Sequence, residues 1–145
     1  MHLAASRALF ERDVTTLSPG LARRRQWVLH SLTYPLIDCS FTAERRTTLR
    51  VKFRCDDWND LPPLVTLHAA DGSLLTAPLT NTSNVFHPSR HPATNQFFVC
   101  MRGTREYHTH PSHLTDLWEN LKSNSSYTLG GILTQIWHAW EKGKG

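Results

Sequence analysis

The sequence predicts an α+β domain made of an N-terminal helix, a four-stranded antiparallel meander, a long loop and C-terminal helices. Apolar residues recur at helical spacing at both ends of the chain, and one central segment alternates strictly between apolar and basic residues. The length of 145 residues is that of one domain with its own core. We therefore treat residues 1–145 as a single domain.

The N-terminal helix is indicated by Leu3, Phe10, Val14 and Leu17, which share one helical face, and the "SPG" at 18–20 is expected to stop it. Strand-forming residues then dominate "QWVLHSL" and "PLIDCSF". In "TTLRVKFRC", at 47–55, apolar residues alternate with Arg50, Lys52 and Arg54, which predicts a half-buried strand with a basic outer face.

The proline pair at 62–63 excludes a helix, and a short strand, an "ADGS" turn and another strand are expected after it. Residues 77–96 form a long irregular stretch of the kind that is usually functional. Two helices are expected to close the fold. One begins with Ser112 as N-cap in "PSHLTDLWENLK", the other covers "TLGGILTQIWHAWEK", and the tryptophans of both are expected in the core (Trp118, Trp137 and Trp140).

Composition excludes several classes of protein. With 39% hydrophobic and 19% charged residues, the chain is neither disordered nor membrane-spanning. The net charge of +4, partly from the runs at 23–25 and 44–46, is low for a nucleic-acid binder but would suit an acidic protein partner. Three cysteines without a C-x-x-C pair argue against a disulfide framework. We expect a cytoplasmic protein with no nucleic-acid or membrane partner.

Four segments in order carry a resemblance to a known family: "DDWNDLPPLVTL" from Asp56, "VFHP" from Val85, "FVCM" from Phe98 and "YTLGGILTQIWHAW" from Tyr127. From about residue 6 onward the chain resembles the ubiquitin-conjugating (UBC-type) enzymes, truncated before their last helices. The resemblance implies a UBC-like fold in which Cys100 accepts a ubiquitin-like protein from an activating enzyme as a thioester. The acyl group then passes to an amine of a target protein, and no cofactor is needed.

The histidines of "EYHTHPSH", at 106–113, are similar to those of divergent bacterial relatives of that family. The resemblance therefore implies a bacterial conjugation pathway of the antiphage kind. In the family, a His-Pro pair holds the active-site loop, a role carried here by His87 and Pro88, or by His91 with its shorter gap to Cys100. Ser89 stands where the family has an oxyanion-stabilising Asn, so Asn95 or Ser89 is expected to supply that donor.

Cys100 is the candidate nucleophile because it follows a polar, histidine-rich loop. Nearby cationic or hydrogen-bonding groups are expected to raise its thiolate fraction, namely His108, His110, Arg102 and Arg105. His108 and His110 are further candidates for a base or electrostatic partner of the incoming amine. They could instead belong to a polar loop that caps the helix beginning near His113. Cys39 and Cys55 are expected to be core residues.

Two other functions remain open from the residues alone. Cys100, His108, His110 and His113 are the right ligand types for tetrahedral zinc, although the spacing matches no zinc motif. An inert binding module of the same fold would recruit the ubiquitin-like protein or the activating enzyme through the basic strand face.

Overall fold

A computed structural model describes residues 2–79 and 84–143, so part of the long loop and the closing Lys144 and Gly145 lie outside the described residues. The fold is mixed α+β, with four helices and two antiparallel sheets. The helices are α1 (Leu3–Val14), α2 (Pro19–Arg25), α3 (Arg105–Thr109) and α4 (Leu129–Lys142). The strands are β1 (Trp27–Thr33), β2 (Leu36–Ala43), β3 (Arg46–Arg54), β4 (Leu64–His68), β5 (Phe86–Arg90) and β6 (Phe97–Val99).

The predicted four-stranded meander is confirmed, with antiparallel strands in the order β1-β2-β3-β4. Cys39 of β2 and Leu67 of β4 both lie opposite Val51 of β3, so the three strands share one buried layer. Because side chains alternate along a strand, the next residues point to the other face. There Arg50 donates two hydrogen bonds to the Asp38 carboxylate, at 2.8 and 2.7 Å.

The core lies between the sheet and the helices. Trp140 of α4 packs on Phe41 of β2 with ring centroids 5.8 Å apart, and Trp137 contacts Trp27 edge to face at 5.7 Å. The predicted last helix is confirmed, and the Thr128 hydroxyl accepts a hydrogen bond from Gly131 N–H at its start. The buried Asp13 carboxylate accepts another from Leu129 N–H at 3.1 Å, which ties the end of α1 to the beginning of α4.

The N-terminal helix is confirmed as α1, but "SPG" begins a second helix that the sequence analysis did not predict. Ser18 is the N-cap of α2 and accepts a hydrogen bond from Leu21 N–H at 3.2 Å, with Pro19 at the first helical position. Proline is favoured there because that N–H has no helical partner. Since α1 ends at Val14 with Thr15 as its C-cap, "SPG" starts a helix instead of ending one.

The strand expected after "ADGS" is wrong in extent. In the described part of that segment, up to residue 79, a single bridge forms, between His68 and Leu74. The expectation of irregular structure across 77–96 is also too simple, because β5 lies inside that stretch and pairs with β6. The functional loop is thus partly a β-hairpin.

The helix predicted from Ser112 is wrong. Two short 3₁₀ turns, Pro111–His113 and Trp118–Asn120, take its place, and Leu114 and Leu117 remain 59% and 52% exposed. A side chain from outside this segment takes one of the backbone carbonyls that a helix would use. The carbonyl of Asp116 accepts a hydrogen bond from His108 Nδ1–H at 2.8 Å, and that bond orients the segment away from helical geometry. Trp118 is buried as predicted, with its indole N–H donating to Asn59 O.

Within residues 2–79 and 84–143, no helix is both long and apolar enough to cross a bilayer.

Candidate functional site

Cys100 lies where the β5–β6 hairpin ends. Phe86 pairs with Val99, and Cys100 N–H donates to Val85 O at 2.6 Å, so the cysteine backbone is fixed by the hairpin. The chain then turns sharply. The Thr104 hydroxyl bonds to the carbonyls of Val99 and Met101 at 3.0 and 2.9 Å. This turn reverses the chain into α3 and leaves the Cys100 side chain half-buried at the hairpin end.

The turn requires a glycine. Gly103 has φ +96°, a region that side-chain-bearing residues rarely adopt, and a Cβ there would meet Tyr127 and Ile132 at 3.0 and 3.1 Å. Gly103 N–H also donates to His108 Nε2 at 3.1 Å. The tight turn therefore brings the segment after α3 back toward Cys100.

His113 is the residue that the fold places against the cysteine. Its Nε2 lies 3.6 Å from Cys100 Sγ, a hydrogen-bonding distance for sulfur. Imidazole is the side chain best suited to take a proton at neutral pH. The arrangement is thus a thiol and a base in contact, although 13 residues separate them in the sequence.

A stack of side chains holds His113 in place. Tyr107 lies face to face on it, with ring centroids 4.0 Å apart and planes 11° from parallel. The Tyr107 hydroxyl donates to Asp116 Oδ2 at 2.6 Å, and Arg102 Nε–H donates to the same oxygen at 2.7 Å. The Tyr107 and Arg102 hydrogen bonds hold the pKa of the Asp116 carboxyl below its usual range, so Asp116 is an anion that anchors Tyr107 at neutral pH.

The expectation that neighbouring groups raise the thiolate fraction of Cys100 is wrong. Burial raises the pKa of the Cys100 thiol, and no cation offsets it. Arg102 is paired with Asp116, and the Arg105 guanidinium donates to Pro62 O at 3.1 Å. Cys100 is therefore mostly a neutral thiol at neutral pH and needs a base when it reacts, which is the role His113 is positioned to fill.

His108 holds the local fold with both ring nitrogens. Nε2 accepts from Gly103 N–H and Nδ1–H donates to Asp116 O, an arrangement that requires the neutral ring. Burial lowers the pKa of His108, in keeping with that state. The two hydrogen bonds of His108 therefore favour a structural role in its loop over the role of a base. The helix that this loop was expected to cap does not form.

His110 lies at the centre of a group of four rings that also includes His87, His91 and His113, at centroid distances of 5.7 to 5.9 Å from it. We call this group the histidine cluster. His110 Nδ1 accepts a hydrogen bond from Ser112 N–H, and its ring stacks on Phe98 at 5.9 Å. Desolvation and the neighbouring histidines lower the pKa of His110, so the cluster is neutral at its centre at neutral pH.

The two His-Pro pairs have different surroundings. His91 is 1% exposed, its Nε2–H donates to Glu106 O at 2.9 Å, and its Nδ1 accepts from Ala93 N–H at 3.0 Å. His87 is half-buried and stacks on Phe98, and its hydrogen bonds within residues 2–79 and 84–143 are to the backbone of Ser89, two residues away. His91 therefore ties the hairpin to α3, while His87 and the exposed Pro88 lie within β5, where the pairing with β6 is irregular.

The structure does not bring Asn95 to Cys100. Asn95 lies in the hairpin turn with φ +57°, and its N–H donates to His91 O. The three residues of β6 separate this turn from Cys100, a span of about 10 Å at roughly 3.3 Å per residue. Ser89 is exposed on β5. The sequence-based placement of an oxyanion donor at either residue has no support from contacts at Cys100.

The four residues considered as zinc ligands are not arranged around a common point. Within the described ranges, no group of three or more His, Cys, Asp or Glu residues is arranged to hold a metal ion. His108 uses both nitrogens in hydrogen bonds, and Cys100 contacts His113 alone among the four expected ligands. As expected, Cys39 and Cys55 are buried in the core, where burial raises the pKa of Cys39 to about 12 and that of Cys55 further.

Sequence reasoning missed Glu106. Its carboxylate is 3% exposed and accepts a hydrogen bond from Val65 N–H at 2.9 Å on the outer edge of β4. Next to it, Arg105 N–H donates to Pro63 O at 2.9 Å. An acid in the first turn of a short helix is typical of an exposed position, so no signal in the sequence indicated burial. Glu106 joins α3, and through it the hairpin, to the four-stranded sheet.

Comparison with known families gives one similarity. From residue 79 to residue 143 the chain is similar to the family described as Y4jH-like, the Y4jH family. This span is less than half of the chain and contains the hairpin, Cys100, His113 and α4, but none of β1 to β4. No curated protein matches the chain.

Proposed function

We propose that this chain is a conjugating-type acyl transferase that accepts a ubiquitin-like protein as a thioester on Cys100 and passes it to an amine of a target protein. The observation that carries the proposal is the 3.6 Å contact between Cys100 Sγ and His113 Nε2 at the end of the β5–β6 hairpin. A half-buried thiol beside a base is suited to nucleophilic chemistry, and buried structural cysteines such as Cys39 lack such a neighbour.

The order of elements supports a UBC-like assignment of the fold. An N-terminal helix is followed by a four-stranded meander, a proline pair, a His-Pro hairpin, the cysteine and a late helix. His91-Pro92 is the better counterpart of the family's His-Pro, because its buried ring holds the loop through backbone hydrogen bonds. In the proposal, the activating enzyme and the ubiquitin-like protein are its partners in a cytoplasmic, bacterial antiphage pathway.

In the first step, His113 Nε2 takes the proton of the Cys100 thiol as sulfur attacks the carbonyl carbon of the activating enzyme's thioester. A new C–S bond forms, the old C–S bond breaks, and the leaving thiolate is reprotonated by His113. A thiol is exchanged for a thiol, so the step is close to energetically balanced. The raised pKa of the Cys100 thiol makes this base necessary rather than optional.

In the second step, an amine attacks the carbonyl carbon of the Cys100 thioester. A C–N bond forms, the C–S bond breaks, and the amine proton reaches the departing Cys100 sulfur through His113. The product is an amide and the free thiol is regenerated. His113 therefore carries one proton in each direction, and its fixed position under Tyr107 serves both steps.

A second candidate, a binding module with no chemistry, has a specific observation in its favour. The pKa of Cys100 is raised, Ala93 follows His91-Pro92 where the family has Asn, and Asn95 lies across β6 from Cys100. A missing oxyanion donor lowers the rate of acyl transfer by a factor of about 100 to 1,000 in other enzymes. In this case the chain would bind the charged ubiquitin-like protein without accepting it.

The test is the intact mass of the chain after incubation with its cognate activating enzyme, ubiquitin-like protein and ATP. We expect a gain of one ubiquitin-like protein that reductant removes, that Cys100→Ala loses and that Cys39→Ala keeps. No gain while the activating enzyme itself is charged would contradict transfer. Co-purification without any covalent gain would then favour the binding module.

A further inference from the structure

Five arginines lie together at one end of the four-stranded sheet. Three occupy the last turn of α2 and two lie at the β2–β3 turn. We call this surface the arginine face; it comprises Arg23, Arg24, Arg25, Arg45 and Arg46. The Cys100 chemistry uses none of these cations.

Two of these arginines are held rigidly by tryptophans. The Arg25 guanidinium lies 5.0 Å from the Trp27 ring centroid and 4.9 Å from that of Trp137, and it donates to Thr134 Oγ1 at 2.8 Å. Arg46 lies 4.9 Å over the Trp140 ring and donates to Trp140 O at 2.6 Å. Each guanidinium keeps other N–H groups for a ligand, and its fixed position reduces the entropy lost on binding.

Part of the arginine face lines a cleft. Its volume is about 320 Å³, and Arg24, Arg25 and Arg46 line it beside Glu44 and Glu141. The cleft lining carries three arginines against two glutamates, a net charge of +1, and the exposed Arg23 and Arg45 are next to lining residues in the sequence. Within the described ranges, Arg23, Arg24 and Arg45 make no ion pair, so their charges are not neutralised by the protein itself.

We propose that the arginine face binds an acidic segment of a partner protein, with Asp or Glu carboxylates on the guanidinium groups of the cleft. Planar guanidinium groups match carboxylates in shape and can bind them through two parallel hydrogen bonds. The charge excess attracts an acidic segment from a distance.

The chemistry of the face favours a protein over a nucleic acid. Glu44 and Glu141 on the cleft wall would repel the continuous phosphates of a nucleic-acid backbone. Of the two tryptophans on the cleft wall, Trp140 is 5% exposed, and the half-buried Trp137 ring is covered by the Arg25 guanidinium at 4.9 Å. Neither offers the open ring face that single-stranded binding surfaces use to stack bases.

The arginine face lies far from the α3 end of the molecule. Arg45 and Arg46 lie at the β2–β3 turn, whereas α3 docks on Pro62 and Pro63 in the β3–β4 connection, at the other end of β3. The nine residues of β3 span about 30 Å at roughly 3.3 Å per residue. A partner on the arginine face would therefore leave α3 uncovered, and the inference does not depend on the chemistry of Cys100.

The test is a fluorescence anisotropy titration of the full chain with a short fluorescein-labelled peptide of alternating glutamate and serine. Arg24→Gln/Arg45→Gln removes two charges that make no ion pair within the described ranges and leaves the arginine–tryptophan contacts intact. We expect this double variant to bind about tenfold more weakly than wild type, or about 1.4 kcal/mol. Arg25→Gln/Arg46→Gln should lose more affinity, and its melting temperature reports any loss of folding.

The matched control is Arg7→Gln/Arg54→Gln, which removes the same charge from other surfaces. We expect it to keep the wild-type affinity within about twofold, because distant exposed charges are screened. Equal losses in the control and in Arg24→Gln/Arg45→Gln would overturn the proposal in favour of non-specific attraction. Tighter binding of a labelled single-stranded or duplex DNA than of the peptide would overturn it in favour of a nucleic-acid site, and no saturable peptide binding would overturn it outright.

Discussion

Tyr107 lies face to face on His113, with ring centroids 4.0 Å apart, and its hydroxyl donates to Asp116. The stack fixes the plane of the imidazole that contacts Cys100. Arg102 bonds the same Asp116 oxygen from the other side. Tyr107 is therefore a positioning residue for the proposed chemistry, because it acts on Cys100 through His113.

Removing the Tyr107 ring should slow acyl transfer to Cys100. A stacked aromatic pair stabilises its arrangement by about 1 kcal/mol, so we expect Tyr107→Ala to lower the rate about fivefold. Tyr107→Phe keeps the stack and loses only the hydroxyl bond to Asp116, so its rate should fall less. The measurement is the single-turnover rate of thioester formation on Cys100. A larger loss in Tyr107→Phe than in Tyr107→Ala would contradict the role of the stack.

Replacing His113 should have the larger effect on the chemistry. His113→Gln keeps a polar side chain but removes the base, so we expect the rate of thioester formation to fall about 100-fold. His138 is the matched control, because it is exposed on α4 and pairs with Glu141. His138→Gln should leave the rate unchanged. Equal rates in the two variants would show that His113 does not act as the base.

The two His-Pro pairs should differ in their effect on stability. His91→Ala would remove a buried ring and leave Glu106 O and Ala93 N–H without their partners, at a cost of about 3 kcal/mol in the free energy of unfolding. His87→Ala, at a half-buried ring with local bonds, should cost less than about 1 kcal/mol. Urea unfolding of both variants checks this. Equal costs would show that His91 does not tie the hairpin to α3.

Glu106 should make stability depend on pH. Burial raises the pKa of this carboxyl from 4.5 to about 7. Between those values the folded chain holds a proton that the unfolded chain has lost. The free energy of unfolding therefore falls by roughly 3 kcal/mol as pH rises through this window. This loss of stability is complete once the pH exceeds the pKa of Glu106 in the folded chain.

Glu106→Gln removes that dependence, because the amide oxygen can still accept from Val65 N–H and carries no charge. We expect the variant to be more stable than wild type at about pH 8 and close to it at about pH 5. Urea unfolding of the two proteins at both pH values measures the difference. Parallel pH profiles would show that Glu106 ionises at an ordinary pKa.

Much of the fold could be predicted from the periodicity of the chain. The alternation around Val51 predicted β3 with a basic outer face, on which Arg50 is paired with Asp38, and the helical spacing of Leu129 to Trp140 predicted α4. Residues 112–121 show where periodicity fails. Leu114, Leu117 and Leu121 have helical spacing, but hydrogen bonds to Asp116 from His108 and Tyr107 hold that segment in turns. A tertiary contact there overrides the local pattern.

The candidate site could be predicted only in part. Cys100 stood out because a polar loop precedes it, whereas its partner was expected at His108 or His110. The Gly103 turn and the short helix α3 decide that His113, rather than either of those, reaches the sulfur. That outcome depends on the path of the chain through a positive-φ turn, which residue types and spacing do not determine.

The most direct test of the central claim is to charge Cys100→Ser with the cognate activating enzyme, ubiquitin-like protein and ATP, and to read the intact mass with and without reductant. A serine in the same position accepts the acyl group as an oxyester, which reductant does not cleave. We expect a reductant-resistant adduct on Cys100→Ser, a reductant-sensitive one on the wild type and none on Cys100→Ala. An adduct that survives in Cys100→Ala, or none on the wild type while the activating enzyme is charged, would contradict the claim.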